Sequence, residues 1–233
     1  MKLSTLYINT ELCQMKIVLA TATEMEMIHF RDTAKDSKVV ELGYCITGVG
    51  LIATTFHLQK TILAIKPDLI IQVGLAGSFS TACTIGDAVA VKSEITADMG
   101  VFEKDGYKDI FDLGLENSDG FPYLKGQLIN NDEALLNGTG LESVNAVSVN
   151  EISTSTEKIN LYASRYHASI ETMEGAALHY VCLQHRTRFI QIRGISNYIG
   201  ERDKSKWEIK KAMDAASVGY NNLITHLENN YSK

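Results

Sequence analysis

A chain of 233 residues with 45% apolar and 21% charged side chains is long and apolar enough to bury the core of one α/β domain. Its formal net charge of -6 argues against general attraction to nucleic acid or to an anionic membrane. No apolar run approaches the ~20 residues of a membrane span, and the two prolines and lack of low-complexity sequence leave no flexible linker.

The four cysteines, Cys13, Cys45, Cys83 and Cys182, are scattered without a C-x-x-C pair, which reads as buried reduced thiols in a cytoplasmic protein. The six histidines show no metal-ligand spacing, so no metal is expected. The N-terminus, MKLSTLYINTELCQ, is a poor signal peptide and precedes a second methionine where a strand pattern starts. Residues 1–14 are therefore read as a variable extension and residues 15–233 as a single domain.

In chain order, Lys16 to Ala20 is a short continuous apolar run, the pattern of a strand buried on both faces. Thr23 and Glu26 have capping-box spacing, so a helix begins there. Glu26 reads most simply as the reciprocal cap; it is also a carboxylate at the end of the first strand, able to take a proton from water. Val39 to Thr47 is a second strand, and Gly48-Val49-Gly50 leads into a helix over 51–65 with helical spacing through Ile52, Thr55, Phe56, Leu63 and Ala64. Pro67 stops it. A strand, a glycine pair and a helix form a turn suited to an anion, although G-x-G alone more often means tight packing.

The next strand, Leu69 to Val73, runs into Gly74-Leu75-Ala76-Gly77-Ser78, small residues past which a flat ligand can come close to the backbone. A strand follows Ile85-Gly86-Asp87, and the acidic, aromatic segment from Asp98 to Pro122 reads as a loop fit for a lid or a subunit contact. Ala146 to Val149 is a strand, Thr156 to Tyr166 a helix, and Ser169 to Glu171 a short strand. A helix then opens at Met173-Glu174-Gly175, and the strand from Phe189 runs out into Arg193-Gly194-Ile195-Ser196-Asn197. Trp207 to Asn229 forms a long C-terminal amphipathic helix. The alternation gives a three-layer α/β fold with a mixed, largely parallel twisted sheet between helices. There is no nucleophile elbow, no P-loop and no G-x-G-x-x-G after the first strand.

Six segments in order, MKIVLATATEMEM, ITGVG, QVGLAGSFS, IGDAVAV, ETMEGAALHYVC and IRGISN, resemble the nucleoside phosphorylase and nucleosidase superfamily. The resemblance spans about residue 15 to the C-terminus and lies nearer the hydrolytic nucleosidases than the phosphorylases. It is closest to the futalosine hydrolase family of menaquinone biosynthesis. That match is carried by Ala97 to Val101 with Asp105-Gly106, by Glu171 to Gly175, and by Ile195 to Tyr198 with Arg202-Asp203-Lys204 and Trp207.

The resemblance implies a cofactor-free hydrolase acting on a purine nucleoside, with no nucleic-acid or membrane partner, working as a homodimer whose neighbouring loop closes the tail pocket. It implies that Glu26 deprotonates the attacking water, Glu174 holds the ribose hydroxyls, Met173 packs under the sugar and Arg193 fixes the water and the acidic shell. Backbone at Gly77 and Ile152 would touch the purine, and Trp207 would cover the tail pocket, with Arg202, Lys204 or Lys206 pairing a tail carboxylate. The adenine nucleosidases of the superfamily end the strand with I-S-D, whereas this chain has Asn197. An amide offers donor and acceptor at any pH, which suits a 6-oxo group and N7–H. A 6-oxopurine such as hypoxanthine is the expected base. Facing adenine, the amide would leave a buried donor unmet at ~1–3 kcal/mol. An adenine nucleosidase is the alternative, followed by a phosphorylase, whose expected arginines are missing from both glycine turns. A catalytically inert nucleoside-binding protein comes last.

Overall fold

The computed structural model describes residues 14–33, 37 and 39–231. The expected N-terminal extension lies outside the described residues except for Gln14.

The first strand, β1 (Met15–Thr21), shows why its sequence is apolar at every step. Ile17 and Leu19 pack in one cluster with Phe30 of helix α1 (Glu24–Thr33), whereas Val18 and Ala20 pack in another with Leu58 and Ile62 of helix α2 (Leu51–Ile65). A strand covered by helices on both faces has no polar side to alternate with.

Strands β2 (Val40–Ile46), β3 (Leu69–Ser78), β4 (Ala88–Thr96), β7 (Leu128–Ile129), β8 (Glu142–Ser148), β9 (Ile170–Thr172) and β10 (Arg188–Tyr198) complete one mixed sheet. Five of its pairings among the described residues are parallel (β1–β2, β1–β3, β3–β10, β4–β8, β8–β9), against three antiparallel. β3 pairs with β1, β9 and β10, so the path β10–β4–β8–β9–β3 returns to β10 and the sheet curls into a ring, with β1 and β2 extending from it. A third apolar cluster, including Val89, Val91, Ala146, Ile170 and Ile195, joins strands of that ring.

Helices α3 (Glu133–Gly138) and α6 (Ile209–Tyr231) share the first cluster with α1, and α5 (Gly175–His185) shares the second with α2. Helix α4 (Thr156–Tyr166) buries Tyr162 and Tyr166 against Val147 and Val149.

Helices α2 and α4 have the expected bounds. In α2, however, the inward face is Thr54, Leu58 and Ile62, while Ile52, Phe56 and Leu63 are 85%, 63% and 62% exposed. The apolar spacing marked the helix but not the face it buries, because the helix has apolar residues on two sides.

The segment from Asp98 to Pro122 is not all loop. It contains a hairpin, β5 (Gly100–Glu103) with β6 (Gly106–Asp109), turned at Gly106 with φ 124° and joined by the Phe102–Tyr107 ring contact. The last strand runs through Asn197 to Tyr198, well beyond its apolar start, because β3 pairs with it along that length. Trp207 does not open the last helix: it follows a short 3₁₀ turn (Lys204–Lys206) capped by Asp203, and its extended backbone keeps it outside α6.

Helix α6 lies directly on β10. A Cβ at Gly194 would run into the Ala212 backbone, and backbone cannot step aside as a flexible side chain can. Gly194→Ala is therefore expected to lower stability by ~1–3 kcal/mol, measured by denaturant unfolding. Wild-type stability in that variant would mean the helix shifts freely.

Candidate active site

A cavity of about 300 Å³ opens where the C-terminal ends of β1, β3 and β10 meet the start of α5. Of the positions singled out from the sequence, Glu26, Gly77, Ile152, Met173, Glu174, Arg193, Asn197 and Trp207 all line it. The volume is at the lower end for small-molecule pockets.

Glu26 does make the capping box. Its Oε2 accepts from the Thr23 N–H (2.9 Å) and hydroxyl (2.8 Å), and its own N–H donates to Thr23 Oγ1 (3.3 Å). These bonds fall on Oε2, leaving Oε1 beside the Arg193 guanidinium. A Cβ at Gly74 would stand 2.7 Å from Arg193 Nη1 and 3.1 Å from Glu26 Oε1, so a glycine here leaves room for both groups. Burial raises the Glu26 pKa above its ordinary value; Thr23 and Arg193 pull it back, and neighbouring Glu174 adds to the rise.

Glu174 is fixed at both oxygens. Oε2 accepts from Arg193 Nη1 at 3.3 Å, and Oε1 accepts the Gly50 N–H at 3.2 Å. The glycine turn, with φ 78° at Gly48 and 90° at Gly50, thus presents the start of α2 to an anion. That anion is the protein's own carboxylate. Arg193 is 1% exposed; its Nη2 donates to Gln72 Oε1 at 2.7 Å, and Nη1 lies 3.4 Å from the Leu75 carbonyl.

Glu174 occupies the N-cap position of α5 without capping it by its side chain. Ser148 Oγ accepts the Ala176 N–H (2.8 Å) and Thr172 Oγ1 the Gly175 N–H (3.3 Å) instead. Both hydroxyls donate to Glu94, at 3.0 and 3.2 Å, and Gln191 Nε2 donates to it at 3.0 Å. Burial pushes the Glu94 pKa up to about 7, against the pull of Gln191, Arg193 and the hydroxyls. Sequence reasoning missed this group. Its signal was a Gln flanked by isoleucines, Ile190-Gln191-Ile192, within an apolar strand; Glu94, next to Lys92 and Ser93, gave no such signal.

The Asn197 amide is oriented by its neighbours: Oδ1 accepts from Ser196 Oγ at 2.8 Å, and Nδ2 donates to the Tyr198 carbonyl at 2.9 Å. One lone pair and one N–H remain for a ligand. Ile152 sits on a loop held by Asp98, which accepts the Asn150 N–H at 2.6 Å, and by Glu171, which accepts the Ser153 N–H at 3.1 Å.

At the mouth, Trp207 Nε1 donates to the Glu201 carbonyl at 3.2 Å, and the Arg202 guanidinium lies 5.7 Å from the Trp207 ring centre. Of the three loop cations only Arg202 lines the cavity; Lys206 is paired with Glu201 at 2.7 Å. Cys45, Cys83 and Cys182 are buried free thiols, Cys13 lies outside the described residues, and among those residues no group of His, Cys, Asp and Glu is arranged to hold a metal ion. No helix among them is long and apolar enough to cross a membrane.

The chain is 29% identical over 187 residues to the futalosine hydrolase of Thermus thermophilus, covering 78% of this chain and 80% of that one. It is 22% identical to the 5'-methylthioadenosine/S-adenosylhomocysteine nucleosidase of Bacillus velezensis over 91% of this chain and 98% of that one. The solved structure of the Colwellia psychrerythraea 5'-methylthioadenosine/S-adenosylhomocysteine nucleosidase, in complex with adenine, superposes with a TM-score of 0.77 at 19% identity, over 92% of this chain and 96% of that one. The model of the phosphorylase superfamily matches residues 24–227, and the chain belongs to that superfamily.

Proposed function

We propose that this chain is a nucleosidase that hydrolyses the N-glycosidic bond of futalosine, releasing hypoxanthine and dehypoxanthine futalosine in menaquinone biosynthesis. The observation that carries the reading is the Asn197 amide, held at the cavity with one donor and one acceptor free. The Thermus thermophilus relative supports the same substrate. Residues 15–233 then form one cytoplasmic, cofactor-free domain.

In this mechanism the ribose hydroxyls bind Glu174, whose carboxylate is already fixed by Gly50 and Arg193, and Met173 packs under the sugar. Water held at Glu26 Oε1 attacks the anomeric carbon and gives its proton to Glu26. The electrons of the C–N bond leave with the purine, whose N7 takes up a proton from solvent; Asn197 Oδ1 accepts from N7–H and Nδ2 donates to O6. Stabilising the departing base is worth at least as much as the general base. Gly77 and Ile152 flank the base, Trp207 covers the tail, and Arg202 is the cation available to a tail carboxylate. Two observations favour hydrolysis over phosphorolysis: the Gly50 N–H is already taken by Glu174, and neither glycine turn carries an arginine. The Bacillus velezensis relative supports the second reading, an adenine nucleosidase.

The chain is further proposed to work as a homodimer, because Ile52, Phe56 and Leu63 of α2 leave an apolar face in water beside the Gly48–Gly50 turn, and the β5–β6 hairpin exposes Val101 and Phe102. Sedimentation should give twice the chain mass, and a monomer at micromolar concentration would contradict it. Glu26→Gln should lower kcat by ~10²–10⁴-fold. The base must be ionised, so wild-type kcat/KM should fall as pH drops through a value above the ordinary carboxylate range, as the burial of Glu26 requires. Near-normal turnover of the variant would remove Glu26 from the mechanism. Asn197→Asp should shift preference from hypoxanthine towards adenine substrates by ~10-fold or more. An unchanged ratio would show that Asn197 does not read the base.

A further inference from the structure

Behind the cavity, a carboxylate outside its lining decides how helix α5 begins. Glu94 of β4 is fully buried and does not line the cavity. It accepts from the Ser148 and Thr172 hydroxyls and from the Gln191 amide, three donors on an acceptor-only group. Each hydroxyl carries one proton, which reaches Glu94 directly or across the 2.9 Å contact between the two oxygens. The oxygens are thereby left as acceptors, and they take the N–H groups of Ala176 at 2.8 Å and Gly175 at 3.3 Å.

Those N–H groups open α5 immediately after Glu174. A helix start ordinarily finds its acceptor in the N-cap side chain. Here the acceptors come from beneath, and both Glu174 oxygens turn instead to Arg193 and Gly50. Arg193 of β10 attracts Glu94; His179 of α5, which meets Gln191, is pushed down to about 4 by burial and stays neutral. A Cβ at Gly175 would overlap the Glu94 carboxylate, so the helix start rests directly on it.

We propose that Glu94 is a positioning residue for the ribose: through Ser148 and Thr172 it fixes the first turn of α5 and frees Glu174 to hold the sugar hydroxyls. This rests on the role of Glu174 in the nucleosidase reading above and adds the group that sets it. Glu94→Gln keeps the shape but turns one acceptor into a donor. The new NH₂ faces groups that already donate, so a hydroxyl proton or a helix N–H loses its acceptor. Glu174 is then drawn back to its own helix as an ordinary N-cap, and its hold on the sugar loosens.

The test is equilibrium binding of two nucleosides to the full chain by calorimetry, at a pH well above about 7, where Glu94 is ionised. The probes are formycin B, an inosine analogue whose C–C glycosidic bond cannot be hydrolysed, and its 2′-deoxy form. Wild type should bind formycin B ~10–100-fold more tightly than the 2′-deoxy form, the worth of one hydrogen bond to a charged acceptor. Glu174→Ala should bind both alike. Glu94→Gln should lose ~10-fold of the preference, although Glu94 touches neither probe. Ser148→Ala removes one hydroxyl of the relay, also outside the cavity lining, and should lose part of it. A purely structural role would weaken both probes equally and leave their ratio untouched. An unchanged ratio in Glu94→Gln, or in Ser148→Ala where Glu94→Gln fails to fold, would overturn the proposal and leave the nucleosidase reading standing. A wild type that binds neither probe, or both alike, would instead overturn the ribose role of Glu174, and this proposal with it.

Discussion

A guanidinium that is 1% exposed, in the middle of a strand, is the constraint that the rest of the site answers to. An isolated charge buried away from water is prohibitively expensive. It has to be surrounded by acceptors and negative charge. Gln72 and the Leu75 carbonyl supply acceptors, Glu174 supplies the direct ion pair, and Glu26 and Glu94 lie within its field. Gly74 makes this possible by leaving space between guanidinium and carboxylate. Removing one partner of a buried pair typically costs ~3–5 kcal/mol, because the other is left uncompensated. The groups proposed to bind sugar and water are therefore held by the same interaction that keeps Arg193 inside the fold.

The closed part of the sheet serves the same end. Because β3 pairs with both β9 and β10, the chain segments carrying Glu171, Gly77 and Asn197 become neighbours despite lying far apart in sequence. Helix α5 starts immediately beyond β9, and its first N–H groups are taken by Ser148 and Thr172. Glu174 is thereby released from capping its own helix and can turn to Arg193 and Gly50. Glu94, beneath those hydroxyls, ties the helix start to β4 and β10 through Gln191. Gly175 has to be small for this, since a Cβ there would overlap the Glu94 carboxylate and the Gln191 amide.

Much of this was legible in the sequence, for physical reasons. Continuous apolar runs such as Lys16 to Ala20 and Leu69 to Val73 mark strands covered on both faces. Thr23 with Glu26, and Gly50 before α2, mark helix starts. Strand ends holding Asn197 and Gly77 pointed to the cleft, and the family resemblance supplied the roles proposed for Glu26 and Glu174. Long-range register was not legible. Nothing local says that Gly77 pairs with Glu171, that the sheet curls into a ring, or that the glycine turn at Gly50 holds Glu174 rather than a ligand. Helix α2 shows the same limit from the other side: Ile52, Phe56 and Leu63 fit a helical period, but the period alone does not choose between a buried and an exposed face.

As proposed, this buried cluster hydrolyses a nucleoside and its cavity selects a 6-oxopurine. The most direct measurement is purine release by the wild-type chain from futalosine and from methylthioadenosine, with and without phosphate. The expected result is faster hypoxanthine release from futalosine, a free sugar product and no dependence on phosphate. Faster adenine release from methylthioadenosine, or release that requires phosphate, would contradict it.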